Sequence, residues 1–192
     1  MFDIILSKDL KEKSEKLGFK PIVLDKNLII KTDSRNELMS KISSLSAKKL
    51  PIIVLGSTDE INRMALEDKR TDMLLDPEET RKKDFMKWRN SGLNHVLCKL
   101  AEKNNIKIGI SFSRLNRMGS EEKSLKIGKI MQNIRLCRKY KAKIVLASFA
   151  ESEKDLLSGY ELKSIGLILG MTPQQVNESL ENAGEIFLNK NN

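Results

Sequence analysis

Lys143-Ile144-Val145-Leu146-Ala147-Ser148-Phe149-Ala150 is the stretch that most narrows what this chain can fold into. It is a short apolar run closing in small and polar residues, as a strand buried on both faces of a parallel sheet does. A parallel strand must be reached by a crossover, and the basic helical stretch from about Glu121 to Tyr140 supplies one. There, Ile127, Ile130, Met131 and Ile134 share an inner face, with Lys129, Gln132, Arg135 and Lys139 opposite.

The same alternation recurs along the chain. Phe2–Leu6 predicts a first strand, and Ser7 a cap for a helix from Lys8 to Leu17 that Gly18 ends. Pro21–Leu24 and Asn27–Lys31 read as two short extended runs around Asp25-Lys26. Ser34 opens a helix through about Ala47, and Pro51–Gly56 is a buried strand. Met64–Leu66 and Asp72–Leu75 read as brief strands, and Pro77 to Arg89 as a polar loop or short helix on the rim. Leu93, Val96, Leu97, Leu100 and Ala101 mark a further helix by their spacing, and Ile106–Phe112 returns as a strand. Two short helices follow, Tyr160–Leu169 and Pro173–Leu188, the second opened by a capping box of Thr172 and Gln175. The polar tail Asn189–Asn192 ends the chain. About seven or eight strands alternating with helices predict an α/β fold, mainly parallel strands with surrounding helices, in a single domain of residues 1–192. A complete eightfold barrel typically takes about 250 residues. The expected form is therefore irregular and TIM-barrel-like, with short or missing helices.

Charge is the composition figure that bears on function. The chain carries 35 Lys and Arg against 26 Asp and Glu, a net +9. Between Arg81 and Lys143 the count is 18 against 4, an excess of 14, which leaves the remainder at 17 against 22, or −5. Such asymmetry within one domain points to a polyanion-facing side, RNA or DNA first. Few aromatic residues are present and no strand pairs them, so recognition is expected to lean on backbone and shape. The expected contacts are Arg89, Arg114, Arg117, Lys126, Lys129, Arg135 and Lys139, because arginine's planar fork suits phosphate and the helical lysines face outward.

Other chemistries lack their residues. One histidine, His95, cannot assemble a multi-histidine metal centre, and no metal ligands or catalytic residues are assigned. Glu67, Asp68, Asp72 and Asp76 are the acids a carboxylate-only Mg²⁺ site would use, but they are expected on strand-end loops in solvent. No phosphate-cradling glycine loop follows any strand, and no G-x-S-x-G elbow accompanies His95. His95 falls on the polar side of its helix, four residues before Lys99, as a surface residue or an RNA contact. Ile165–Val176 has the outline of a helix-turn-helix, yet Gln174–Gly184 offers Glu178 and Glu181 and no basic residue. That face would repel a duplex, so it reads as helical packing. Cys98 and Cys137 read as two reduced thiols without a disulfide framework. No signal peptide or membrane span is read, which makes the cytoplasm the expected location.

A resemblance joins these pieces. Asn62-Arg63, Ala65-Leu66-Glu67 and Thr71–Leu74, then Gly92–Leu97 and Ile108–Ser111, resemble the ribonuclease P/MRP thirty-kilodalton subunit family, called protein component 3 in archaea. Ile134–Cys137, Ile144–Ala150, Ser158–Leu162 and Leu169–Met171 continue the match in order. The short size and lack of a long tail look archaeal. The resemblance implies a TIM-barrel-like, non-catalytic subunit of a ribonucleoprotein endonuclease. That enzyme removes the 5′ leader from precursor tRNA, and its RNA subunit holds the catalytic Mg²⁺. It also implies RNase P RNA, precursor tRNA and a small ferredoxin-like (RRM-like) protein as partners, the last in a two-plus-two assembly. Arg63 and His95 join the RNA-binding set by motif position, giving Arg63, Arg89, His95, Arg114, Lys126, Lys129, Arg135 and Lys139. Leu157 departs from the family, which often has a basic residue there; Lys154 is the nearest substitute. The alternatives are a stand-alone metal-dependent phosphoesterase of the polymerase-and-histidinol-phosphatase type, and a scaffold whose basic face binds an acidic protein.

Overall fold

A computed structural model of the chain describes residues 1–80, 84 and 89–188. The strands among them are β1 (Phe2–Ile5), β2 (Lys20–Val23), β3 (Ile29–Ile30), β4 (Ile53–Leu55), β5 (Met73–Leu75), β6 (Lys107–Ser111) and β7 (Ile144–Ala147). Every ladder is parallel. β3 to β7 form one sheet in sequence order, and β1 pairs with β2. The two parts join where Ile5 bridges Ala150, just past β7. At this seam the Leu6 N–H donates to the Ala150 carbonyl at 2.8 Å. Buried Asp3 accepts from the Ser148 N–H at 2.7 Å and from the Ser148 hydroxyl at 2.6 Å. Burial pushes the Asp3 carboxyl up to about 6, against the pull of those hydrogen bonds. The strands thus run round an incomplete barrel, open between β2 and β3. Only Leu24–Leu28 separate these two, with a single 3₁₀ turn at Lys26–Leu28. A parallel crossover takes about a dozen residues or more, so this link is too short to pair them.

The helices are α1 (Lys11–Lys16), α2 (Arg35–Ala47), α3 (Asp59–Glu67), α4 (His95–Lys103), α5 (Phe112–Asn116), α6 (Ser120–Tyr140), α7 (Gly159–Ile168) and α8 (Pro173–Leu188). Successive strand residues point to opposite faces, which splits the core into two layers. Val54, Leu74, Ile108 and Leu146 pack with Leu38, Ile61, Leu97, Ile130 and Ile134 of the helices. Ile53, Met73, Leu75 and Val145 pack on the other face with Ile4 and Phe149. Cys98 of α4 and Cys137 of α6 are buried free thiols. Among the described residues no helix is long and apolar enough to cross a membrane.

Several local readings change. Met64–Leu66 is helical, within α3, because Thr58 caps the helix by accepting the Ile61 N–H at 3.2 Å. Ile61, Ala65 and Leu66 then form its buried stripe. Ser7 makes no side-chain cap, and the segment after it starts as a 3₁₀ turn. Phe112 leaves β6 and begins α5, with Ser111 as the cap. Pro77–Glu79 is a 3₁₀ turn, but most of the predicted rim segment up to Arg89 lies outside the described residues, as does the tail 189–192. The Thr172–Gln175 capping box is present, each side chain accepting the other's N–H at 3.2 Å.

Candidate nucleic-acid interface

Two buried amides seat the segment that leads into α4. Asn62 of α3 accepts the Ser57 N–H at 3.0 Å through Oδ1. Its Nδ2 donates to the carbonyls of Pro77 at 3.1 Å and Gly92 at 3.2 Å. Asn133 of α6 donates to the Ser91 carbonyl at 2.9 Å. Beside it, Gln132 donates to the Arg89 carbonyl at 2.9 Å and the Ser91 hydroxyl at 2.8 Å. Gly92 has φ +73°, and a Cβ there would lie 1.8 Å from the Pro77 carbonyl oxygen, so only glycine fits. Asn94 then caps α4, accepting the N–H groups of Val96 at 2.9 Å and Leu97 at 3.0 Å, which sets His95 on the first turn.

The result is a cleft of about 680 Å³. Arg63, Arg89 and His95 line it together with Asp59, Gln132 and Tyr140 and with Leu93, Leu97 and Leu136. The Lys99 and Lys139 ammonium groups lie 5.8 and 5.6 Å from the centroid of the Tyr140 ring. The His95 ring lies 6.4 Å from it, tilted by 43°. Arg63 is exposed and also pairs with Glu67 at 2.7 Å, one turn along α3. Four predicted residues (Arg63, Arg89, His95, Lys139) thus converge here, and Arg135 lies exposed on α6. The sequence reading missed Lys99 and Tyr140. The four-residue step from His95 to Lys99 placed the lysine on the same face, but nothing local tied Tyr140 to it.

Arg114 and Lys126 turn elsewhere, which for Lys126 corrects the outward placement. Arg114 of α5 pairs with Asp76 at 3.0 Å and with Glu79 at 2.9 Å. Lys126, only 8% exposed, also pairs with Glu79. Lys129 leans inward too, its ammonium 3.7 Å from Asp84. Arg117, another expected contact, pairs with Asp155 at 2.5 Å and Glu151 at 3.1 Å. Asp76 is not in solvent either: it is 2% exposed and accepts the Ser111 N–H at 2.8 Å. Burial raises its carboxyl to about 6 against the pull of Arg114, and burial with Asp76 nearby raises buried Glu78 to about 8. Burial works against ionised Glu79 as well, but Lys126 and Arg114 outweigh it and hold its pKa low. These groups sit past the C-terminal ends of β5 and β6, where barrel enzymes keep their reacting residues. Here acids and bases neutralise one another. Among the described residues no group of three or more His, Cys, Asp or Glu is placed to hold a metal ion. Leu157 packs against the helical core layer.

Comparison with known proteins bears on the family and the fold. The family model described as RNase P subunit p30 matches residues 12–192. Ribonuclease P protein component 3 of Methanosarcina acetivorans is 30% identical over 159 residues, covering 83% of this chain and 63% of the relative. The protein of that name from Methanocaldococcus jannaschii is 29% identical over 135 residues, 70% of this chain and 55% of the relative. The chain thus spans between 55% and 63% of the length of these relatives. A chain in a cryo-EM structure of archaeal Ribonuclease P with mature tRNA superposes with a TM-score of 0.75 at 26% identity, covering 99% of this chain and 81% of that one. An amidohydrolase, at 12% identity and a TM-score of 0.57, shares the fold alone.

Proposed function

The chain belongs to the RNase P subunit p30 family, and from that premise we propose that it is a protein subunit of ribonuclease P. It binds the catalytic RNA and supports endonucleolytic removal of the 5′ leader from precursor tRNA. The observation that carries this is the cleft where Arg63, Arg89 and His95 converge beside Lys99 and Lys139. Cations around a concave surface attract a phosphate backbone and release its counterions on binding. The chain contributes no reacting group. Its part is to hold RNA, while Mg²⁺ at the RNA subunit supplies the chemistry of cleavage. A small ferredoxin-like protein is the expected companion, as a two-plus-two assembly in the cytoplasm. The stand-alone phosphoesterase needs a metal cluster that one histidine cannot build.

Precursor-tRNA cleavage by reconstituted particles, with and without this chain and at two salt concentrations, tests the proposal. Activity should require the RNA subunit, rise when the chain is added, and lose that gain at the higher salt. Cleavage by the protein alone, or no effect of adding it, would overturn the reading.

A further inference from the structure

The shape and lining of the cleft specify which part of an RNA enters it. A duplex presents phosphates on a convex surface and keeps its bases stacked inside. This cleft is concave, and apolar Leu93, Leu97 and Leu136 are part of its lining. Phosphate pressed against leucine would lose its water without replacement, whereas the face of a base gains from the same contact. The charged side chains Arg63 and Arg89 are both exposed, as cations serving a flanking backbone would be. The Tyr140 ring lines the wall. At about 680 Å³ the cleft falls within the size range of small-molecule pockets.

We infer that the cleft receives an unpaired nucleotide of the RNA. Its base lies against Tyr140 and the leucines of the lining, and the adjoining phosphates meet Arg63 and Arg89. This rests on the RNA-binding reading above and adds the class of RNA element bound. The probes are a single-stranded RNA octamer and a duplex with the same number of phosphates, each titrated against the full chain. The octamer should bind more tightly than the duplex. Tyr140→Leu should weaken octamer binding by about fivefold or more, the scale of losing one base–aromatic stack, and Tyr140→Phe should restore it. Lys139→Ala should weaken both probes together. Equal affinity for the two probes, or an unchanged octamer affinity in Tyr140→Leu, would overturn the inference and leave RNA binding intact. Binding of neither probe would defeat the RNA-binding reading itself. In reconstituted particles, 4-thiouridine placed either in the RNase P RNA or in precursor tRNA should crosslink to the peptide containing Tyr140 from one of the two. A crosslink from neither overturns the inference as well.

Discussion

Lys126→Met separates the two fates assigned to the basic residues. The Lys126 side chain is 9% exposed and its partner Glu79 is 23% exposed. Methionine keeps most of the stem volume and removes the charge. The variant leaves Glu79 with Arg114 alone, and it removes a cation that eases the ionisation of Asp76 and Glu78. Deleting one partner of a buried pair costs about 3–5 kcal/mol. Arg114 still compensates Glu79, and Glu79 keeps some contact with water, so a loss of about 2–3 kcal/mol is expected. With a urea dependence of about 2 kcal/mol per molar, the unfolding midpoint should fall by about 1–1.5 M. Adding Glu79→Gln removes the orphaned charge and should return part of that loss. Lys139→Ala, on the exposed face, should stay within about 0.5 kcal/mol of the parent. Urea unfolding followed by circular dichroism measures all three. A Lys126→Met midpoint equal to that of Lys139→Ala would refute the inward placement and return Lys126 to the RNA-facing set.

Other variants probe the seam and the cleft. The Asp3 carboxyl titrates near 6 in the folded chain, above its unfolded value, so its neutral form favours the fold at low pH. That contribution is complete below about pH 4 and fades as pH rises through 6, by roughly 3 kcal/mol. The stability gap between parent and Asp3→Asn should change across that window; a gap independent of pH would count against the assignment. Gly92→Ala, at φ +73° and against the Pro77 carbonyl, should lower stability by more than about 1 kcal/mol and weaken RNA binding, and an unchanged thermal midpoint would sink that expectation. Arg63→Ala with Arg89→Ala should reduce the salt slope of single-strand binding by about 1.4, at about 0.7 per phosphate lost; filter binding with an unchanged slope would remove both from the interface.

The parallel α/β architecture was legible because its signals are local. β7 is a continuous apolar run, and α6 repeats its inner-face residues from Ile127 to Ile134. α3 was missed because its cap, Thr58, stands before the stretch that looked strand-like. The ion pairs of Arg114 and Lys126 were hidden by distance: Glu79 is 35 residues from Arg114 and 47 from Lys126. Asp76, Glu78 and Glu79 also lie just outside the basic segment whose charge was counted, so the excess looked freer than it is. Arg63 and His95 came from family resemblance, and their convergence with Arg89 depends on Asn62, Gln132 and Asn133 holding a loop whose contacts no short window contains.

The missing crossover between β2 and β3 also decides when the fold can finish during synthesis. β1 has its early neighbour β2, but its other side waits for Ser148 and Ala150, about 145 residues later. Until the ribosome has delivered β7, the first two strands form an open ribbon with an unpaired edge, the kind of edge that invites wrong partners. Joining of β1 to the end of β7 is then a late docking of the two chain ends, with α8 packing against both β1 and β7. The amides of β1 and β2 should accordingly exchange with solvent through a smaller opening than those of β5 and β6. A nascent chain released before residue 150 would keep that edge, which makes the last quarter of the sequence a lock on the first few residues.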